Sequence, residues 1–264
     1  MNRTAAHLDA DAVRSTLAGA WSHIEIVERT GSTNADLLAA AERGAPDRSV
    51  LIAEHQEAGR GRLARTWLSP PGTGLTVSVL LRPTTVSPSR YGWLPLLAGL
   101  ALLDTIRELD DDVPAGLKWP NDLLMGTEPR KAAGILAEVT GDAVVVGIGL
   151  NVGAVPEGQP NATSLAAEGI DADRSTVLIA LLRNLAEREQ VWRERRGDPE
   201  VLRGDYRAGC LSLGSAVRVE LPGGAVLTGI AEDVDVDGRL LLLDESGTRR
   251  AVAAGDVVHL RPRA

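Results

Sequence analysis

Four short segments of this chain carry side chains able to bring anions together. The first is Gly59-Arg60-Gly61-Arg62-Leu63-Ala64-Arg65, with three guanidinium groups in seven residues. Guanidinium forks match carboxylate and phosphate oxygens two at a time, and glycines let the main chain come close to a ligand. A solvated turn with ordinary arginines would read the same way in isolation. The charge context separates the two readings: there is no Asp or Glu between Glu57 and Asp104, while that window holds Arg60, Arg62, Arg65, Arg82 and Arg90. The second segment is Lys118-Trp119-Pro120-Asn121-Asp122, where Lys, Asn and Asp crowd around a Trp-Pro pair that restricts the backbone. The third is Arg130-Lys131-Ala132-Ala133-Gly134-Ile135-Leu136, in which Lys131 precedes a strand and is expected to set an ammonium at its mouth. The fourth is Gly147-Ile148-Gly149-Leu150-Asn151-Val152-Gly153, whose glycines allow close backbone approach, with Asn151 as a polar end.

Other chemistries are excluded by what is missing or misplaced. The Gly147 segment is not a dinucleotide fingerprint: its third glycine comes one position late, and Pro156 and Pro160 follow instead of a helix. No phosphate-loop, zinc-protease or serine-hydrolase motif occurs. His7, His23, His55 and His259 are scattered, and Cys210 reads as a packed small apolar residue. One cysteine can form neither an internal disulfide nor a cysteine-based zinc site, which suits a reducing compartment. The chain has 264 residues with 28 basic and 36 acidic side chains, a net charge of −8, which argues against a general nucleic-acid binder. Residues 1–20 contain no secretory signal, and no apolar run reaches the roughly 18 residues of a membrane span. A cytoplasmic protein is expected.

The elements that must hold these segments can be read from periodicity. Helices are expected over Leu8 to Leu17, Ala35 to Arg43 (capped by Thr33 or Asn34 and closed by Gly44), Ser89 to Leu109 and Ser175 to Arg196. Strands are expected over Ile24 to Val27, Val50 to Glu54 and Thr76 to Leu81, with a hairpin pairing Leu136–Val139 and Ala143–Ile148 around Gly141-Asp142. Pro156 to Pro160 reads as a loop. After Gly214 the texture changes to short β-type runs, Val217–Leu221, Val226–Val234, Leu240–Leu243 and Val257–Leu260, separated by turn residues. That spacing predicts a small barrel and two domains, 1–213 and 214–264. There is no Phe, and of the five tryptophans, Trp67 and Trp119 fall within the charged motifs while Trp21, Trp93 and Trp192 read as packing or surface residues.

Taken in order, Ser32-Thr33-Asn34, Gln56 with Gly59-Arg60-Gly61-Arg62, Trp67, Lys118-Trp119-Pro120-Asn121-Asp122, Lys131 with Gly134-Ile135-Leu136, and Gly147-Ile148-Gly149-Leu150-Asn151 resemble the biotin protein ligase family. The resemblance spans about residues 24–260. It implies an α+β catalytic domain with a mixed sheet, of the biotinyl/lipoyl-ligase type related to class II aminoacyl-tRNA synthetases, followed by an SH3-like C-terminal β-barrel. It also implies two steps: the biotin carboxylate attacks the α-phosphate of ATP, giving biotinyl-5′-AMP and pyrophosphate, and a lysine of a biotin carboxyl carrier domain then displaces AMP. Mg²⁺ is expected with the ATP. Carried over by position, Ser32, Thr33 and Gln56 hold the biotin head, and Asn34 forms the pocket wall beside it. Gly59-Arg60-Gly61-Arg62 clamps the carboxylate and phosphate, Lys131 bridges the two reacting groups, and Trp67 packs over the adenylate. Gly134, Gly147 and Gly149 leave backbone room for biotin, with Ile135 and Asn151 beside them. Asn121 and Asp122, with Lys118, fall on the phosphate or Mg²⁺ side, and metal ligands are otherwise unassigned. Only 31 residues precede Ser32, too few for the winged helix–turn–helix of repressor members, so no DNA binding is expected. The family includes monomers and homodimers and does not fix the assembly here. Two departures stand out: Ala132 where a larger aliphatic is usual, and Leu63-Ala64 where Arg or Gly often continues the loop. Residues 59–72 are expected to order with ligand. The rival readings are a lipoate ligase or octanoyl transferase on the same fold, and a biotin or nucleotide sensor without catalysis; the sensor should lack the cations Arg60, Arg62 and Lys131.

Overall fold

The computed structural model describes residues 7–155 and 158–260; Pro156, at the start of the expected proline loop, lies outside them. In chain order come α1 (Ala10–Thr16), β1 (His23–Thr30), α2 (Thr33–Glu42), β2 (Ser49–Gln56), β3 (Gly74–Leu81), α3 (Trp93–Leu109), β4 (Ala115–Lys118), β5 (Asp122–Met125), β6 (Arg130–Thr140), β7 (Ala143–Asn151), α4 (Arg174–Glu194) and α5 (Glu200–Gly209). The last fifty residues add β8 (Ala216–Glu220), β9 (Val226–Val234), β10 (Leu240–Leu243), β11 (Arg249–Val252) and β12 (Asp256–His259).

The first seven strands form one sheet in the order β1-β2-β3-β7-β6-β5-β4. Only β1 and β2 run parallel, so the sheet is mixed. Its central strands alternate strictly between two cores, the period-two rule of a pleated strand. Val77, Val79 and Leu81 on β3 and Val144, Val146 and Ile148 on β7 face the main core with α3. Leu80 and Val145 face the other side, where Leu37 and Ala41 of α2 cover them. Beyond the N-terminus of α2 that second face changes character: Ser78 pairs with Gly147, and Thr76 with Gly149, in place of aliphatic residues. With the hydroxyls buried, the glycines leave this face low and form the floor of a cleft.

The C-terminal strands form an antiparallel ladder in the order β11-β10-β9-β8-β12, fitting the expected SH3-like unit. One of its attachments to the first sheet's layer is the turn between β9 and β10. Trp93 Nε1 donates to Val236 O at 3.0 Å and Trp119 Nε1 to Gly238 O at 3.1 Å. Arg90 reaches the same turn at Val236 O and Asp237. A methyl group on Gly92 would overlap Asp237 O. Trp93 also meets Tyr206 of α5 edge-on, with ring centroids 6.2 Å apart.

Several sequence expectations shift. Ser32, not Thr33 or Asn34, caps α2, its hydroxyl accepting from Ala35 N; a residue inside the first turn cannot cap it. The helix expected from Ser89 starts at Trp93, after a 3₁₀ turn over Pro88–Arg90. Lys131 is the second residue of β6 rather than the residue before a strand. Trp119 faces the inter-sheet junction and is fully buried, away from any ligand-facing surface.

Candidate functional site

The floor of Gly147, Gly149 and Gly134 opens into a cleft of about 310 Å³, at the lower end of the roughly 300–1,000 Å³ typical of small-molecule sites. One end is neutral and polar, lined by Ser32, Asn34 and Gln56. The other end is lined by Arg60, Arg62, Arg65 and Lys131, with Asn121, Asp122 and Asp256 among them. Trp67, Ile135 and Asn151 lie along the walls.

The neutral end is built on the start of α2 and the end of β2. Gln56 Oε1 accepts from Thr33 N at 2.8 Å and from Thr33 Oγ1 at 2.9 Å, tying the two elements together. Asn34 is buried, and its carboxamide occupies the space where a side chain on Gly147 would lie. Asn151, at the end of β7, donates from Nδ2 to Thr163 O at 2.9 Å.

The cationic end is built on a closed loop and the bulge between β5 and β6. Gly61 N donates to Arg65 O at 2.7 Å and Trp67 N to Gly59 O at 2.9 Å, which draws the arginine segment into a turn. Gly59 is needed there because a methyl group would overlap Trp67 O. Leu63, at φ 54°, holds the left-handed conformation that glycine adopts most readily, at one of the two positions where the chain departs from the family pattern. Arg62 donates to Asn121 Oδ1 at 2.9 Å and to Gly255 O at 3.2 Å, and Arg65 pairs with Asp256. Burial lowers the Arg62 pKa, opposed by the nearby carboxylates of Asp256 and Asp122; the guanidinium stays charged at neutral pH. Lys131 Nζ lies 2.7 Å from Asp122 Oδ1, and 5.8 Å from the centre of the Trp67 ring. Its main chain is held by the segment after the proline loop, Lys131 N donating to Asn161 O at 2.9 Å and Thr163 N to Lys131 O at 2.8 Å.

The arrangement sorts the sequence expectations. Ser32, Asn34, Gln56, Arg60, Gly61, Arg62, Trp67, Asn121, Asp122, Lys131, Gly134, Ile135, Gly147, Gly149 and Asn151 meet at one cleft. Thr33 and Gly59 stand just behind its wall as supports. Lys118 lines a separate crevice with Pro95 and Tyr206. Asn121 acts on Arg62 and on Ile135 O, which it reaches through Nδ2 at 3.0 Å. One glycine clearance is filled by the protein itself: the Trp67 indole lies where a side chain on Gly149 would be, while at Gly134 the Lys131 side chain and the edge of the Trp67 ring come close without filling it. Of the acid-free arginines, Arg82 pairs with Asp142 and Arg90 with Asp237, both remote from the cleft. Sequence reading missed the cleft residues Gln159, Ala162 and Asp256. Asp256 stands 191 residues from its partner Arg65 and carries no local signal.

The sequence model of the Biotin/lipoate A/B protein ligase family matches residues 26–154, and that of the Biotin protein ligase C terminal domain matches residues 212–260. A biotin–(acetyl-CoA-carboxylase) ligase of Mycobacterium tuberculosis is 50% identical over 262 residues, covering 96% of each chain. The bifunctional ligase/repressor BirA of Bacillus subtilis is 32% identical over 81% of this chain and 67% of its own length. The biotin protein ligase of Aquifex aeolicus, solved in complex with biotin and ATP, superimposes with a TM-score of 0.76 at 31% identity, covering 91% of this chain and 100% of that one.

Proposed function

This chain belongs to the biotin/lipoate A/B protein ligase family, and from that premise we propose how the residues of its cleft divide the work of biotin transfer. The protein is an ATP-dependent ligase that attaches biotin to acetyl-CoA carboxylase through biotinyl-5′-AMP, as its relatives' activities and complexes indicate. One observation carries the residue assignment: a single cleft with neutral amides at one end and four cations at the other.

Biotin has a polar, uncharged head and an anionic tail, and ATP adds a triphosphate. Ser32 and Gln56 receive the head, with Thr33 and Asn34 holding them in place. The valeryl carboxylate then points toward Lys131, Arg60 and Arg62. Carboxylate and α-phosphate repel each other, so their approach needs positive charge between them, most of all in the transition state where charge gathers on the phosphoryl oxygens. Lys131 supplies it at the junction, leaving Asp122 for the incoming anions. Arg62, anchored by Asn121 and Gly255 O, is preorganised for that charge, while the exposed Arg60 closes over the phosphates. In the second step the carrier lysine attacks the acyl carbon, its C–N bond forms, the C–O bond to AMP breaks, and the proton leaves the amine. Trp67 must leave Gly149 for the adenylate to settle and can then lie over it.

Mg²⁺ enters with the nucleotide. Among the described residues there is no cluster of three or more acidic, His or Cys side chains that could hold a metal; Asp122 would be the candidate carboxylate, and the ion would neutralise charge on the phosphates. The carrier is the biotin carboxyl carrier domain. No helix among the described residues is long and apolar enough to cross a membrane, and the reading includes a cytoplasmic location and no DNA binding. The test is direct: incubate the protein with biotin, ATP, Mg²⁺ and a carrier domain, and follow pyrophosphate and the mass of the carrier. Biotin-dependent pyrophosphate and a biotinylated lysine are expected; activity with lipoate instead of biotin would overturn the reading.

A further inference from the structure

Lys131 stands at a break in the first sheet. Pairing of β6 with β7 ends at Ala133 and Leu150. Pairing of β6 with β5 slips by one residue: Ala133 lies opposite Leu123 and Lys131 opposite Leu124, which leaves Ala132 out of both ladders. A bulge of this kind interrupts the ladder, so the main chain beside it needs other hydrogen-bond partners. They come from residues 159–163, which belong to no strand or helix and run beside Lys131 as a strap. Asn161 O accepts from Lys131 N at 2.9 Å, and Thr163 N donates to Lys131 O at 2.8 Å.

The strap is fixed in turn at Thr163, which is fully buried and uses every polar group it has. Its N–H goes to Lys131 O, its carbonyl accepts from Asn151 Nδ2 at 2.9 Å, and its hydroxyl donates to Glu168 Oε1. The same Glu168 oxygen accepts from Nη2 of Arg130, the residue just before Lys131, at 2.9 Å. The carboxylate rests against Gly126, in the turn between β5 and β6, where a methyl group would overlap Oε2. One side chain thus joins the strap, the start of β6 and the β5–β6 turn. Glu168 does not line the cleft, and no step of the proposed reaction uses it.

We propose that Glu168 is a positioning residue for Lys131: by tying Thr163 to Arg130 it fixes the strap, and the strap sets where the Lys131 ammonium stands. An ammonium that must meet two anions in the transition state loses effect when it is displaced, and a shift of about 1 Å can cost about 10²-fold in rate. This inference rests on the role proposed for Lys131 and extends it to a residue outside the cleft.

Biotin-dependent pyrophosphate release by the full chain, measured in a double-mutant cycle, tests it. Glu168→Ala should lower kcat by about 10–10²-fold, with the KM values for biotin and ATP within about threefold of wild type. Glu168→Gln still offers an oxygen to Thr163 and Arg130, and its kcat should stay within about threefold. In the Lys131→Ala background, Glu168→Ala should change kcat by less than about twofold, because no ammonium remains to be misplaced. A carboxylate that merely stabilises the fold gives another pattern, a lower Tm with the same fractional loss of kcat in both backgrounds. That pattern, or an unchanged kcat in Glu168→Ala, overturns the inference. Should Glu168→Ala not fold, Thr163→Val removes the hydroxyl at nearly constant volume and carries the same cycle with the same expectations; loss of folding in both variants overturns the inference as well. Two controls keep its failure apart from that of the reading beneath it. Without biotin-dependent pyrophosphate from wild type the proposed reaction falls, and with a wild-type rate in Lys131→Ala the role of that lysine falls; the inference falls with either.

Discussion

In the proposed reaction Lys131 is the side chain on which activation should depend most, because its ammonium can stand between the two reacting anions. Lys131→Ala should slow biotin-dependent pyrophosphate release by about 10²–10³, the usual effect of removing one transition-state electrostatic partner; wild-type rates would refute the role. Gly147 makes a separate prediction. Its Cα faces the Asn34 carboxamide with no room for a methyl group, and overpacking of this kind costs about 1–3 kcal/mol. Gly147→Ala should displace Asn34 and raise the KM for biotin well above any change in the KM for ATP, as measured in the same assay. Most of the cleft was legible at this scale. Arg60, Arg62, Lys131 and the three glycines carry their signal in type and spacing, since anion clamps and close backbone approach need those residues and few others. The parts played by Asn121 and Trp119 were not legible, because proximity in sequence to Asp122 says nothing of what each side chain meets. Asn121 braces Arg62, and Trp119 faces away.

The β9–β10 turn is one of the elements that join the two sheets. Trp93, Trp119 and Arg90 all donate to it, and Gly92 lies against Asp237 O. Gly92→Ala should push the turn off and lower the Tm by several degrees, since about 1–3 kcal/mol of overpacking falls on buried contacts; an unaltered melting curve would show that the turn tolerates displacement. Long elements were readable because their apolar residues repeat often enough to define a period: β3, β7, α3 and α4 fall close to their expected spans. The missed strands lack that signal. β4, β5 and β11 have four residues each, and β11 reads Arg-Arg-Ala-Val; their existence follows from tertiary contacts, which a local reading does not see. The helix α5 does carry a helical pattern, with Leu202 and Tyr206 on its buried face, but the two glycines among its ten residues, Gly204 and Gly209, argue locally against a helix. Tyr206 against Trp93 and Arg203 and Arg207 on Asp233 help hold it.

At the scale of the whole molecule, the C-terminal strands are part of the active cleft. Asp256 lines it, and Gly255 O receives Arg62. The same strand is anchored by His259, whose Nε2 lies 2.9 Å from Ser212 Oγ, the atom that accepts from Trp119 N. Burial, and then the charge of Lys118, lowers the His259 pKa below its ordinary value of 6.5. The unfolded chain therefore takes up the proton first, so the stabilising effect is full above about pH 6.5 and is lost as pH falls below it. Unfolding free energy measured from pH 7.5 to 5 should decline, and the part of that slope due to this group should vanish in His259→Gln; an identical slope in the variant would remove His259 from the account. The bond from Arg62 to Gly255 O has a further consequence, one of timing. Its two ends are 193 residues apart, and at about 5–20 residues per second a ribosome separates them by about 10–40 s. Throughout that interval the arginine loop has emerged while the backbone that fixes it has yet to be made. A newly started chain is therefore catalytically incomplete until its final β-strands fold back, and carrier biotinylation by ribosome-held chains should begin only once those strands clear the exit tunnel.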